Sequence, residues 1–248
     1  MRSTSSTVGQ VWHQVISTQP IPATAVVVGA AIAALLVVLI RDVWVVARNV
    51  VTIAHEGGHA LVALLARRKL RGIRLHSDTS GVTLSRGKPT GPGMVATAAA
   101  GYVAPSLLGL GCAALLAFGH ITALLWLTVL VLIAMLTQIR NAYGVASILI
   151  TAAIVFMVSW FTNAQVQAAF AYAFMWFLVL GGIRPVWELQ RTRSRGRARD
   201  SDADQLAKLT GLPGFFWIMV FGVVGLGVLV LTAVWLLPLT SWFAHRSG

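Results

Sequence analysis

Three residues within five positions carry the chemistry this chain advertises: His55, Glu56 and His59, in the stretch TIAHEGGHALVALLA. On an α-helix, residues four apart share a face with Cβ atoms about 5–6 Å apart. Two imidazoles so placed can reach one Zn²⁺ at about 2.0–2.1 Å per Zn–N bond. Glu56 falls one residue round, beside such an ion, where a carboxylate can take a proton from water acidified by the metal. H-E-x-x-H is therefore a set of parts for metal-assisted peptide-bond hydrolysis. The alternative is a pair of neutral histidines bonded to neighbouring helices. Polar groups in an apolar segment are costly, and three of them converge here, which favours the metal.

Catalytic zinc usually takes three protein ligands and leaves a position for water. The motif supplies two, and acidic residues elsewhere are few: Asp42, Asp78, Glu188, Asp200, Asp202 and Asp204. Asp42 stands more than three helical turns before His55, too far along the same helix. Asp78 and His76 sit in a polar loop and read as solvated. The stretch SDADQLA opens a structured segment before the last apolar run, so the spacing leaves Asp202 or Asp204 as the third ligand, with one or both serving as helix caps. Gly57 and Gly58 fill the free positions of the motif at about 1 kcal/mol each relative to Ala. They imply close approach of another backbone, either a packed helix or a substrate.

The elements that must hold these groups are dictated by composition. The 248 residues are 57% hydrophobic and only 10% charged, and the mean hydropathy is +0.81. A soluble domain needs more polar surface, so the fold class is an all-α polytopic membrane protein, read as one domain over 1–248. Runs of about 20 apolar residues mark the spans: Ile21 to Ile40, Val43 to Ala66, Met94 to Phe118, Ile121 to Leu136, Tyr143 to Phe161, Val166 to Ile183 and Phe215 to Trp242. These give six to seven transmembrane helices, with a small β-hairpin after the second. Residues 72–91 alternate and are punctuated by Gly and Pro, which places the hairpin within a basic loop at 67–92. The arginine run of 184–211 reads as a charged cytoplasmic linker, with a short helix from Ser201 that Gly211 can end.

The net charge of +12 is concentrated, with fourteen of nineteen basic residues in those two loops. The pattern is the one expected of loops facing the cytoplasm, and it predicts contact with anionic lipid headgroups. No base-stacking or groove-reading motif accompanies it, so nucleic acid is not the partner. The seven spans then place the N-terminus inside with the basic loops. Trp44, Trp160 and Trp242 lie near predicted helix ends, as aromatic belts do. Cys112, the single cysteine, excludes an intrachain disulfide and reads as a packing residue.

At HEGGH the chain resembles the site-2 protease family of intramembrane zinc metallopeptidases, in particular its short bacterial B-like branch. The resemblance extends through Gly81–Thr83 of the hairpin, AAAGYVAPSLLG of the next span and SDADQLAKLTGLPG near the end. It implies that His55 and His59 are zinc ligands, Glu56 the general base and Asp202 the third ligand. The N-P-x-x-D-G or L-D-G sequence that supplies the aspartate in better-known site-2 proteases is missing. The resemblance also implies that Gly101 and Pro105 loosen the third span, and that the hairpin offers an edge to an extended substrate or covers the site. The expected activity is hydrolysis of a peptide bond in or near a transmembrane segment of a membrane-protein substrate, with one Zn²⁺ per chain. A catalytically silent scaffold binding a partner is the competing function. A histidine proton-relay transporter is weaker, because clear inverted repeats are lacking.

Overall fold

Segments as apolar as these leave the backbone no partner but itself, and helices are the outcome. The computed structural model describes residues 4–196 and 200–237. Its elements run α1 (Thr4–Ile16), α2 (Thr24–Leu39), α3 (Arg41–Leu65), β1 (Lys69–Leu75), β2 (Gly81–Arg86), α4 (Pro92–Ala117), α5 (Ile121–Leu136), α6 (Ala142–Phe161), α7 (Ala164–Ser194), α8 (Asp202–Thr210) and α9 (Gly214–Leu236). Large apolar side chains such as Leu130, Ile154, Val223 and Val230 point outward and are more than half exposed. An outer surface of this kind fits lipid, and the chain is a multi-pass membrane protein. Trp44, Leu116, Leu124, Tyr172 and Leu178 form the centre of the main core.

Among the described residues four helices, α4, α6, α7 and α9, are long and apolar enough to cross a membrane. The pair α2 and α3 makes a fifth candidate when taken together, but it is bent by 103°. The structure thus gives four to five candidate spans where six to seven were expected, the two runs before the hairpin forming this bent pair. The break falls at Ile40, which leaves helical geometry just before Arg41 and Asp42. The 16 residues of α5 extend about 24 Å, short of a bilayer core of about 30 Å.

Other expectations also need correction. The linker at 184–211 is not loop from its start, since α7 continues to Ser194 with Pro185 inside it. Trp44 is buried in the core at 1% exposure rather than placed at a helix-end belt. The Trp242 end of the last predicted span, and Arg197 and Arg199, lie outside the described residues. The segment around Gln19 and the hairpin loop sit at opposite ends of α4. Gln19 donates its backbone N–H to Gly119 O at 2.8 Å, and its side chain accepts from Thr122 N at 3.0 Å. That contact lies beyond the C-terminal end of α4, whereas the hairpin precedes its N-terminal end, so the bundle separates the two.

Strands β1 and β2 pair antiparallel, with Ile73 opposite Thr83 and Leu75 opposite Gly81. On its other side β1 is held by the 138–141 segment. Ile73 donates to Gln138 O and accepts from Arg140 N, both at 2.9 Å, and the Asn141 amide brackets Leu75. Strand β2 is therefore the outer strand, and it lies against α3.

Candidate metal centre

One face of α3 departs from the apolar pattern, and it carries Arg48, Thr52, His55, Glu56 and His59 at helical spacing. Glu56 and His59 are buried, at 3% and 9% exposure. Burying such groups costs several kcal/mol unless partners meet them. For the histidines the partners come from α4 and α8. His59 Nδ1 lies 2.7 Å from Thr97 O, which requires a proton on Nδ1 and leaves a bare lone pair on Nε2. His55 Nε2 stands 3.1 Å from that atom, and the ring of Tyr102 sits edge-on to His55.

Asp202 completes the group. Its Oδ2 approaches His55 Nε2 at 3.2 Å and His59 Nε2 at 3.1 Å. The approach is out of hydrogen-bonding alignment, and this buried oxygen has no hydrogen-bond partner. Three potential ligand atoms thus lie within 3.1–3.2 Å of one another. Tetrahedral zinc with bonds of about 2.0–2.1 Å sets its donor atoms roughly 3.3–3.4 Å apart. The observed triangle, with edges of 3.1–3.2 Å, is close to that size, so these residues fit the ion.

The choice between Asp202 and Asp204 is explained by α8. Ser201 is its N-cap, and Ser201 and Asp204 form a reciprocal capping box. Asp204 also pairs with Arg193 of α7. Its carboxyl sits below the ordinary range: partial burial opposes the charge, and hydrogen bonds from Ser201 and Arg193 outweigh it. Asp204 is therefore spent on the cap, which turns Asp202, at the first helical position, toward the histidines. Ala203 and Leu206, both fully buried, anchor the helix from beneath. Asp42, Asp78 and His76 do not join the group. Asp78 accepts instead from the Ser80 backbone and hydroxyl.

Close packing makes the room. A Cβ on Gly101 would lie 2.3 Å from His59 Nε2 and 2.5 Å from His55 Nε2. Gly101 thus opens space for the imidazoles within a continuous α4, where the sequence suggested a loosened span. A Cβ on Gly58 would meet Ala104 Cβ at 2.3 Å, whereas Gly57 has ordinary clearance from Met135. Helix packing accounts for Gly58 and leaves Gly57 without a steric requirement.

A cleft of about 450 Å³ opens on the group between α3, β2, α4 and the start of α8. Its walls include Arg48, Gly81, Thr83 and Tyr102; the last three fall in segments through which the family resemblance runs, whereas the sequence analysis did not single out Arg48. The signal for the β2 pair was available: Gly81 and Thr83 are two apart on a strand and face the same way. Arg48 could have been found as the residue seven before His55.

A family model described as Peptidase M50B-like matches residues 28–232 of the chain. No curated protein and no solved structure matches it significantly.

Proposed function

Since the chain belongs to the Peptidase M50B-like family, in keeping with its resemblance to site-2 proteases, we propose that it is a zinc-dependent endopeptidase that hydrolyses a peptide bond in or near a transmembrane segment of a membrane-protein substrate. The observation that carries this reading is the convergence of His55 Nε2, His59 Nε2 and the unpartnered Asp202 Oδ2 beside a buried glutamate. His55, His59 and Asp202 would hold the ion. When bound, zinc supplies Lewis-acid chemistry, polarising a carbonyl and lowering the pKa of water to about 7.

The chain's own residues do the rest. The His59 tautomer is set by Thr97 O, which fixes the ring for ligation. Glu56 takes the proton of the attacking water and returns one to the leaving amine. The open cleft admits the water this reaction consumes. A substrate bond must be unwound from its helix before it can be attacked, and β2 stands beside Glu56 with its outer edge available to an extended chain. The basic loops at 67–92 and 184–211 face the cytoplasm and its anionic headgroups, and the centre opens to the same side. The N-terminal segment then lies on the other face.

The test is Glu56→Gln. The variant should keep its zinc, while peptides that appear in membranes with the wild-type protein disappear. Undiminished hydrolysis in that variant would remove Glu56 from its role. A wild-type protein without zinc and without new peptides would instead favour a silent scaffold.

A further inference from the structure

The hairpin does more than wall the cleft. Thr83 Oγ1 donates to Glu56 Oε2 at 2.6 Å and lies 3.1 Å from the Glu56 carbonyl oxygen. Two residues earlier, Gly81 presents bare backbone to the same side chain. A Cβ there would stand 2.5 Å from both Glu56 Cγ and Oε1. One turn before Glu56 on α3, Thr52 Oγ1 donates to Thr79 O at 2.8 Å, tying the turn of the hairpin to the same helix. The inner face of β2 is thus fitted to one carboxylate, by a donor at Thr83 and by space at Gly81.

We propose that Thr83 is a positioning residue for the general base, with Gly81 supplying the clearance, so that β2 sets the rotamer in which Glu56 works. The proposal rests on the proteolytic reading. A buried glutamate with free χ angles would sample several rotamers, only one of which puts Oε beside the attacking water. A charge-assisted hydrogen bond selects among them. Losing it costs roughly ten- to a hundredfold in turnover, the usual worth of a hydrogen bond to a charged group. Metal binding should be untouched, because neither Thr83 nor Gly81 contributes to the ligand triangle.

The test compares membranes carrying full-length wild-type, Thr83→Val, Thr83→Ser, Gly81→Ala and Glu56→Gln protein. Peptide release is followed by quantitative mass spectrometry, and zinc per chain and Tm are measured on each purified protein. The expected result is a loss of about ten- to a hundredfold for Thr83→Val and Gly81→Ala in protein that still folds and holds wild-type zinc, with Thr83→Ser within about threefold of wild type. The proposal is overturned if Thr83→Val matches wild type while Glu56→Gln is silent, a result that leaves the proteolytic reading standing. It is equally overturned if Thr83→Ser is as impaired as Thr83→Val, or if Thr83→Val loses its zinc, since shape or folding would then explain the effect. Wild-type release by Glu56→Gln would instead remove the reading itself, and the proposal with it.

Discussion

Replacing Gly101 by Ala separates metal binding from folding. The new Cβ would sit 2.3 Å from His59 Nε2 and 2.5 Å from His55 Nε2, where ordinary contact begins at 3.4 Å. Each ring must therefore retreat by about 1 Å in a closely packed interior. Zinc sites tolerate about 0.2 Å in their bond lengths, so the displacement is several times what ligation can absorb. His59 cannot swing away freely, because the move would break its contact with Thr97 O. The helix itself gains, since Ala is favoured over Gly in a helix interior by about 1 kcal/mol. Zinc affinity should fall at least a hundredfold, about 2.7 kcal/mol, in a protein that still folds in detergent and keeps its helical content. Competition with a chromophoric chelator measures the affinity, and circular dichroism measures the fold. A Gly101→Ala protein that holds one zinc at wild-type affinity would refute the placement of both imidazoles.

Three further outcomes follow from the geometry. Asp202→Ala should abolish stoichiometric zinc, while Asp204→Ala should keep most of it and lose about 1 kcal/mol of stability with the α8 cap. The Asp204 carboxyl titrates below its ordinary range, so its stabilising effect is present at neutral pH and is lost as pH falls below about 4. The Tm gap between wild type and Asp204→Asn should accordingly be present at pH 7 and narrow progressively as pH falls below about 4. For topology, in a Cys112→Ala background, a membrane-impermeant thiol reagent should label Arg71→Cys and Gln14→Cys from opposite faces. Labelling of both from one face would contradict the separation made by α4.

Much of the site was legible because it is local. H-E-x-x-H fixes its own geometry once the segment is helical, and the alternation through Gly81–Arg86 announces a strand. The third ligand was only half legible. Asp202 and Asp204 both open α8, and periodicity treats them alike. Ser201 with an acid three residues on resembles a capping box, and that pairing assigns Asp204 to the cap. The break after Ile40 was legible as the end of an apolar run, but the 103° bend there was not, since hydropathy measures how apolar a run is and carries no information on its direction. The side of the N-terminus depends on the span count, because each crossing inverts every later assignment. Trp44 illustrates the same limit. An indole near a helix end suits a headgroup belt, yet here its N–H finds Glu188 Oε1 at 3.1 Å inside the fold. That pairing spans 144 residues of chain and leaves no mark on local sequence.

The central claim is that this chain holds one zinc ion through two imidazoles and a carboxylate. X-ray absorption at the zinc edge, on wild-type protein purified without chelators, tests it most directly. The expected spectrum is that of one zinc per chain with two imidazole nitrogens and oxygen ligands around it, and Asp202→Ala protein should hold no stoichiometric zinc. Protein that takes up no zinc, or zinc whose shell contains no imidazole, would contradict it.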